Sequence, residues 1–150
     1  MDFLGFLVTQ CLNALSQAAL LFFLGVGLTL IFGIMRIVNF AHGAFFMFGA
    51  YVGYSSVHLT GSFWVALLVA PIVVGGFGAA FELGILRQLY RRDHSAFLMV
   101  TFGLTLIMGE AIRLIWGVAA LEVPAPAMLS GIVFILDEPF PIYRLFLAGA

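Results

Sequence analysis

The chain has 150 residues, of which 64% are hydrophobic and only 9% charged, and its mean hydropathy is +1.20. A soluble domain carries roughly 25% charge, so this chain could not coat a globular surface with polar groups and reads as an integral membrane protein. Its net charge is −1 and it contains no lysine, which argues against nucleic-acid binding and against a polybasic lipid-binding segment. The single cysteine, Cys11, excludes an internal disulfide and any multi-cysteine metal site, and reads as apolar filler inside a helix.

The start, MDFLGF, lacks the basic region of a signal peptide, so the first apolar run is expected to be retained. From Phe3 to Met35 no residue is charged, a run longer than the ~20 residues a perpendicular span needs. Gln10, Asn13 and Gln17 recur at helical spacing in its first half. Those turns are expected near the interface or facing other helices, with the span proper about Leu12 to Ile34. Gly25, Thr29 and Gly33 form a small-residue face suited to close helix contact.

Arg36 then marks the water boundary, because a charge at the bilayer centre is costly. Asn39 stands where a second helix needs an N-cap, and His42 takes the third position of a capping box. The second span runs from about Phe40 to Val57, and its 18 positions reach roughly 27 Å. It holds a GxxxG pair, Gly49 and Gly53. The third span covers Phe63 to about Leu86, with Pro71 near its middle and a kink expected there. Gly76, Ala80 and Gly84 give it a further small-residue face, expected to be buried against a neighbouring helix.

The basic cluster Arg87, Arg91 and Arg92 follows, and a fourth span runs from about Ser95 to Gly117, capped by Asp93 or Ser95. Thr101, Thr105 and Gly109 share one of its faces. Residues 118–139 read as an extramembrane loop carrying Glu122, Asp137 and Glu138. Within it, Gly131 to Leu136 is short and β-branched, a strand or a piece lying on the membrane surface. The apolar stretch from Phe140 has 11 residues, too few to cross, so it is read as the start of a fifth span in a cut chain. The expected fold is therefore an all-α, polytopic transmembrane helix bundle of about four complete spans.

Charge sets the expected topology. Arg36, Arg87, Arg91 and Arg92 fall on one side if each run crosses once, and that side should be cytoplasmic. Arg113 and Arg144 count the other way. Tyr51, Tyr54, Trp64, Trp116 and Tyr143 land at the opposite boundary, as an aromatic belt does, which puts the N-terminus outside.

Two stretches carry a resemblance. GLTLIFGIMRIVNFAHGAFFMFGAYVGY, residues 27–54, resembles the most recognisable part of the LivH-type permeases, the membrane subunits of branched-chain amino-acid ABC importers. LRQLYRRDHSAFLMVTFGLTLIMGEAIRLIWG, residues 86–117, is similar to that family's next signature. Together they cover 60 of the 150 residues, in the expected order and spacing. The resemblance implies a second permease subunit, cytoplasmic ATPase subunits, an extracytoplasmic substrate-binding protein and alternating access in a bacterial inner membrane. ATP would be used by the partner subunits, with no cofactor in this chain.

The residues themselves leave several roles open. No GxxxxGK[ST] run is present, so energy for uphill transport must come from another subunit or a coupling ion. Asn39 and His42 are candidates for the transport path or for the helix entry: His42 either meets substrate or satisfies backbone donors. Glu110 and Arg113, spaced i, i+3, lie roughly 22 Å into the fourth span, as a functional ionisable site or a neutralised pair at the outer interface. Glu82 reads as a bridge to Arg36 or to the Arg87 cluster. Glu122, Asp137 and Glu138 are candidates for docking the delivering binding protein. An ion-coupled secondary carrier or channel, with Glu110 and Glu82 binding the ion, is the alternative. A metal or haem enzyme would need facing histidine pairs that His42, His58 and His94 do not supply.

Overall fold

The computed structural model describes residues 3–35, 38–90, 94–123, 126–135 and 138–149. Helix α1 (Phe3–Met35) is followed by α2 (His42–Thr60), α3 (Phe63–Phe81), a π-helical turn (Glu82–Leu86), the short α4 (Arg87–Leu89) and α5 (His94–Trp116). A single 3₁₀ turn (Ala127–Leu129), strands β1 (Ile132–Ile135) and β2 (Glu138–Pro141), and α6 (Ile142–Gly149) complete the order. Contacts divide the chain into two compact units, Leu28–Val123 and Met1–Gly27 with Pro124–Ala150.

Among the described residues, three helical segments are long and apolar enough to cross a membrane: Phe3–Ile34, Phe63–Leu89 and Ser95–Trp116. The chain is thus a helical, multi-pass membrane protein. Of the four complete spans expected, the second does not meet that measure. Its helix has 19 residues and carries His42, Ser55, Ser56, His58 and Thr60. α2 packs on both α3 and α5, so much of its surface meets protein and tolerates polar groups that lipid would penalise. α1 is a single helix throughout, and large side chains such as Leu21 (68% exposed) and Phe22 (67%) cover it. From Ala18 to Met35 only Thr29 is polar, and a helix stretch apolar on nearly every face suits a membrane span.

In the three-helix unit, α2 and α3 run antiparallel, since Gly49 lies against Val74 while the earlier Phe45 lies against the later Gly78, and Phe45 and Phe48 both meet the Phe77 ring, at 5.9 and 5.5 Å. α2 and α5 run parallel: Phe40 meets Phe102 at one end, and Tyr51 meets Trp116 at the other. Ala41, Ala44, Leu104 and Met108 form the buried core, flanked by Phe45, Phe48 and Phe81. The alanines keep the α2–α5 contact close, and the phenylalanines fill its sides. Thr101 is fully buried on α5, its hydroxyl donating to the Phe97 carbonyl at 3.0 Å, which removes the penalty of an unpaired polar group.

Glycines close two of the helices. Gly61 (φ 68°) gives its N–H to the Val57 carbonyl at 2.7 Å, and Gly117 (φ 82°) gives its own to the Arg113 carbonyl at 2.9 Å. These left-handed caps stop α2 and α5 where the sequence turns.

Several expectations change. Asn39 is not the N-cap of α2, a position held by Ala41. A capping box from Asn39 to His42 is therefore out of register by two residues. Ser95 lies inside α5, and Asp93, the other expected cap, lies outside the described residues, as do Arg36, Arg91 and Arg92. Gly76, Ala80 and Gly84 are exposed, and a Cβ added at Gly53 would meet nothing within 4 Å among the described residues. The close α2–α3 approach falls instead at Gly49, whose added Cβ would lie 3.5 Å from Val74, and at Gly78, 3.7 Å from Phe45. α3 carries small residues on more than one side, and the positions of the phenylalanines decide which side packs. Pro71 sits inside α3, which continues through it to Phe81.

The expected loop is partly structured. β1 and β2 pair antiparallel in the register Val133 to Phe140, so the strand reading of residues 131–136 holds for Ile132–Ile135. Phe140 belongs to β2 rather than to a fifth span, and is 2% exposed. The helix begins only at Ile142. In the same unit Arg144 donates to the Asn13 side-chain oxygen, and the Ser16 hydroxyl reaches the Arg144 carbonyl at 3.0 Å. The polar stripe of α1 thereby gains a partner.

Candidate functional site

The chain enters α2 through an Asx-type turn. The Asn39 Oδ1 accepts the Ala41 N–H at 3.0 Å, and its carbonyl accepts the His42 N–H at 3.3 Å. This local closure, from a side chain two residues ahead of its partner, fixes Asn39 and His42 at the end where α3 arrives and α5 departs. A cavity of about 340 Å³ opens there. Asn39, His42, Glu82 and Tyr90 supply its polar lining. Phe45, Phe81, Leu86 and Phe97 are among its apolar walls.

The π turn places three of these side chains. A π turn advances by a smaller angle per residue than an α-helix, so its drift opposes that of the α turn after it. Glu82, Leu86 and Tyr90, four residues apart in sequence, can then remain on one face and line one cavity. Tyr90 also stacks on Phe97, with ring centres 6.2 Å apart and planes 20° from parallel. Burial first, then the charge of Glu82 and hydrogen bonding to it, pushes the Tyr90 phenol above its ordinary pKa. No ion pair joins Glu82 to Arg87 among the described residues. The other expected partners of Glu82, Arg36, Arg91 and Arg92, lie outside the described residues.

The other candidate residues lie elsewhere. Glu110 and Arg113 pair at 2.9 Å, with their side chains 68% and 65% exposed and neither lining the cavity. Glu122 is exposed after α5, and Glu138 opposes Ile135 in the hairpin. Asp137 lies outside the described residues. At the other end of the three-helix unit, Trp116 Nε1 donates to Ser55 Oγ at 2.8 Å.

Tyr90 and the π turn were not legible beforehand. Glu82 carried a signal, an acid inside an apolar run, but no periodicity in the sequence marks a widened turn.

A family model described as "Branched-chain amino acid transport system / permease component" matches residues 10–148. Relatives include the high-affinity branched-chain amino acid transport system permease protein LivH of Escherichia coli K12, 28% identical over 87% of this chain and 44% of the relative. LivH of Salmonella typhimurium is 25% identical over the same shares. BraD of Pseudomonas aeruginosa, described as a high-affinity permease protein of the same kind of system, is 25% identical over 70% of this chain and 37% of its own. The chain spans less than half the length of these curated relatives. No solved structure matches it. With the match running through all the long helices and the hairpin, the chain belongs to the branched-chain amino acid transport system permease component family.

Proposed function

We propose that the whole protein is the membrane permease subunit of an ABC importer for branched-chain or related small amino acids. The observation that carries this reading is the continuous family match over residues 10–148. The protein works by alternating access beside a second permease subunit, in a bacterial inner membrane, with its N-terminus outside. Cytoplasmic ATPase subunits hydrolyse ATP, consistent with a chain that holds no lysine and no phosphate-binding loop. An extracytoplasmic binding protein delivers the amino acid, and Glu122, Asp137 and Glu138 supply charges that steer its docking. Asn39 and His42 belong to the path or its entry. Glu110 and Arg113 neutralise each other, in keeping with their 2.9 Å pairing.

The test is reconstitution of the full-length permease with its ATPase and binding protein in vesicles. Leucine uptake should require both ATP on the ATPase side and the binding protein. Uptake driven by an ion gradient without ATP would make the protein a secondary carrier. Orientation is read by placing a cysteine at Ile37 in a Cys11→Ser background. Reaction with a reagent confined to the outside would reverse the proposed topology.

A further inference from the structure

The β1–β2 hairpin sorts its residues into two sets. By register and alternation, Ile132, Phe134, Pro139 and Pro141 share one face, and Val133, Ile135 and Phe140 belong to the other. In the second set Phe140 is buried and Ile135 half-buried. The first set is apolar throughout and open throughout: Ile132 is 59% exposed, Phe134 70%, and both prolines are exposed. Four neighbouring apolar residues with no polar group among them need an apolar cover.

The hairpin's place in its unit says what the cover is. Asn13 accepts from Arg144, and the Ser16 hydroxyl reaches the Arg144 carbonyl, which ties the start of α6 to that level of α1. β2 ends at Pro141, directly before α6. The nearly uniform apolar stretch of α1, residues 18–35, begins just after Ser16. Its length of roughly 27 Å matches the hydrocarbon core of a bilayer, about 30 Å. The hairpin therefore stands where acyl chains give way to headgroups.

Backbone hydrogen bonding fixes the depth. The Ile142 N–H bonds to the Gly131 carbonyl at 3.0 Å, so the alternate pairs Val133–Phe140 and Ile135–Glu138 are the hydrogen-bonded ones. Pro139 and Pro141 then fall where a residue turns its N–H outward, and proline has none to leave unpaired. Ile132 and Phe134 do turn N–H and carbonyl groups outward along β1. A two-stranded sheet with such an edge is excluded from the hydrocarbon core, whereas water and lipid oxygens serve it among the headgroups. The proline edge also offers an added protein strand no donor at two positions, which disfavours a partner chain pairing there.

We propose that this face of the hairpin lies in the lipid interface of the bilayer, with Ile132 and Phe134 sunk about 5–10 Å, to the boundary of headgroups and acyl chains. The hairpin then fastens the segment before α6 to the membrane rather than extending it into water. This rests on the chain being a membrane protein and not on the transport reading.

The experiment uses the full-length protein, with Cys11 and any further cysteine replaced by serine, and Phe134→Cys labelled with an environment-sensitive fluorophore. The protein, in the assembly with which it purifies, is reconstituted in vesicles of phosphatidylethanolamine and phosphatidylglycerol. These carry lipids with a nitroxide either near the top of the acyl chain or near its end. The label's emission should shift to the blue, and the shallow nitroxide should quench it more than the deep one. A label at Pro139→Cys should behave alike, and one at Val133→Cys should be quenched less. Adding Phe134→Asp should reduce the quenching of the Pro139 label. Emission typical of water, with no quenching, overturns the proposal and leaves the hairpin in solvent. Blue-shifted emission that neither nitroxide quenches overturns it in favour of a protein cover, from the rest of the chain or another subunit. Stronger quenching by the deep nitroxide, or equal quenching at Val133 and Phe134, overturns the interfacial placement of this face. Uptake does not enter the readout, so the transport reading stands or falls separately.

Discussion

The Trp116 indole donates to the Ser55 hydroxyl at 2.8 Å, tying the end of α5 to α2 across 61 positions of sequence. The same indole lies 5.3 Å from the Tyr51 ring, so one residue supplies both a polar and an aromatic contact. Trp116→Phe keeps most of the ring and loses the donor. It should cost about 1 kcal/mol of stability, the usual net value of one hydrogen bond. Trp116→Leu should cost more. Thermal unfolding of the detergent-solubilised full-length protein measures both: no loss in Trp116→Phe would mean that the hydrogen bond contributes nothing, and equal losses would mean that the ring contact adds nothing.

Tyr90 gives a pH prediction. Its phenol pKa is raised, with burial the larger cause and Glu82 the next. A raised folded-state pKa means that the neutral phenol is favoured in the fold. This contribution is fully present below the ordinary tyrosine pKa of about 10 and is lost as pH rises through the folded value. The tyrosinate absorbance difference between wild type and Tyr90→Phe should therefore develop at higher pH than for a model tyrosine. Glu82→Gln should move it only part of the way back, because burial remains. A full return to the ordinary tyrosine value would make Glu82 the main cause.

Close helix approach is tested at two glycines. A side chain at Gly49 would meet Val74, while one at Gly76 meets nothing within this chain. Gly49→Leu should destabilise by about 1–3 kcal/mol through overpacking. If Gly76→Leu alone abolishes assembly of the full-length protein, that face of α3 packs on a helix from outside residues 1–150.

Arg144 and Asn13 make a third pair worth breaking. The arginine donates to the asparagine oxygen, and its own carbonyl receives the Ser16 hydroxyl. Asn13→Leu should leave the guanidinium without this acceptor and destabilise by about 1 kcal/mol. Arg144→Leu combined with Asn13→Leu should recover part of the loss, since no unpaired charge remains. Purified yield and thermal midpoint of the two single variants and the double report this, and a double variant that loses as much as the sum of the singles would refute the pairing.

Gly61 and Gly117 test the helix ends. Both have left-handed φ, which costs an L-residue roughly 1–2 kcal/mol. Gly61→Ala and Gly117→Ala should each lower the thermal midpoint, whereas Gly43→Ala, at an open helical position, should raise it or leave it unchanged.

The sequence alone determined the class of solvent, and through it most of the local structure. With so few charges, the chain had to bury its backbone polar groups in helices, and the positions of the uncharged runs located α1, α3 and α5. Short β-branched residues marked β1 because strand preference is local. The order of two long signatures was enough to indicate the family, since it needs no knowledge of packing. What the sequence could not decide depends on which helix faces meet. Small residues line more than one side of α3, so only the phenylalanines of α2, brought in by the antiparallel turn, choose Gly78 over Gly76. Arg144 counted in the sequence only against the charge asymmetry, and the fold places it beside Asn13. The cavity required the π turn at Glu82–Leu86, and that widening has no signature in residue spacing. It became visible only when Glu82 and Tyr90 were seen to line one space with Asn39 and His42, contributed by another helix entry.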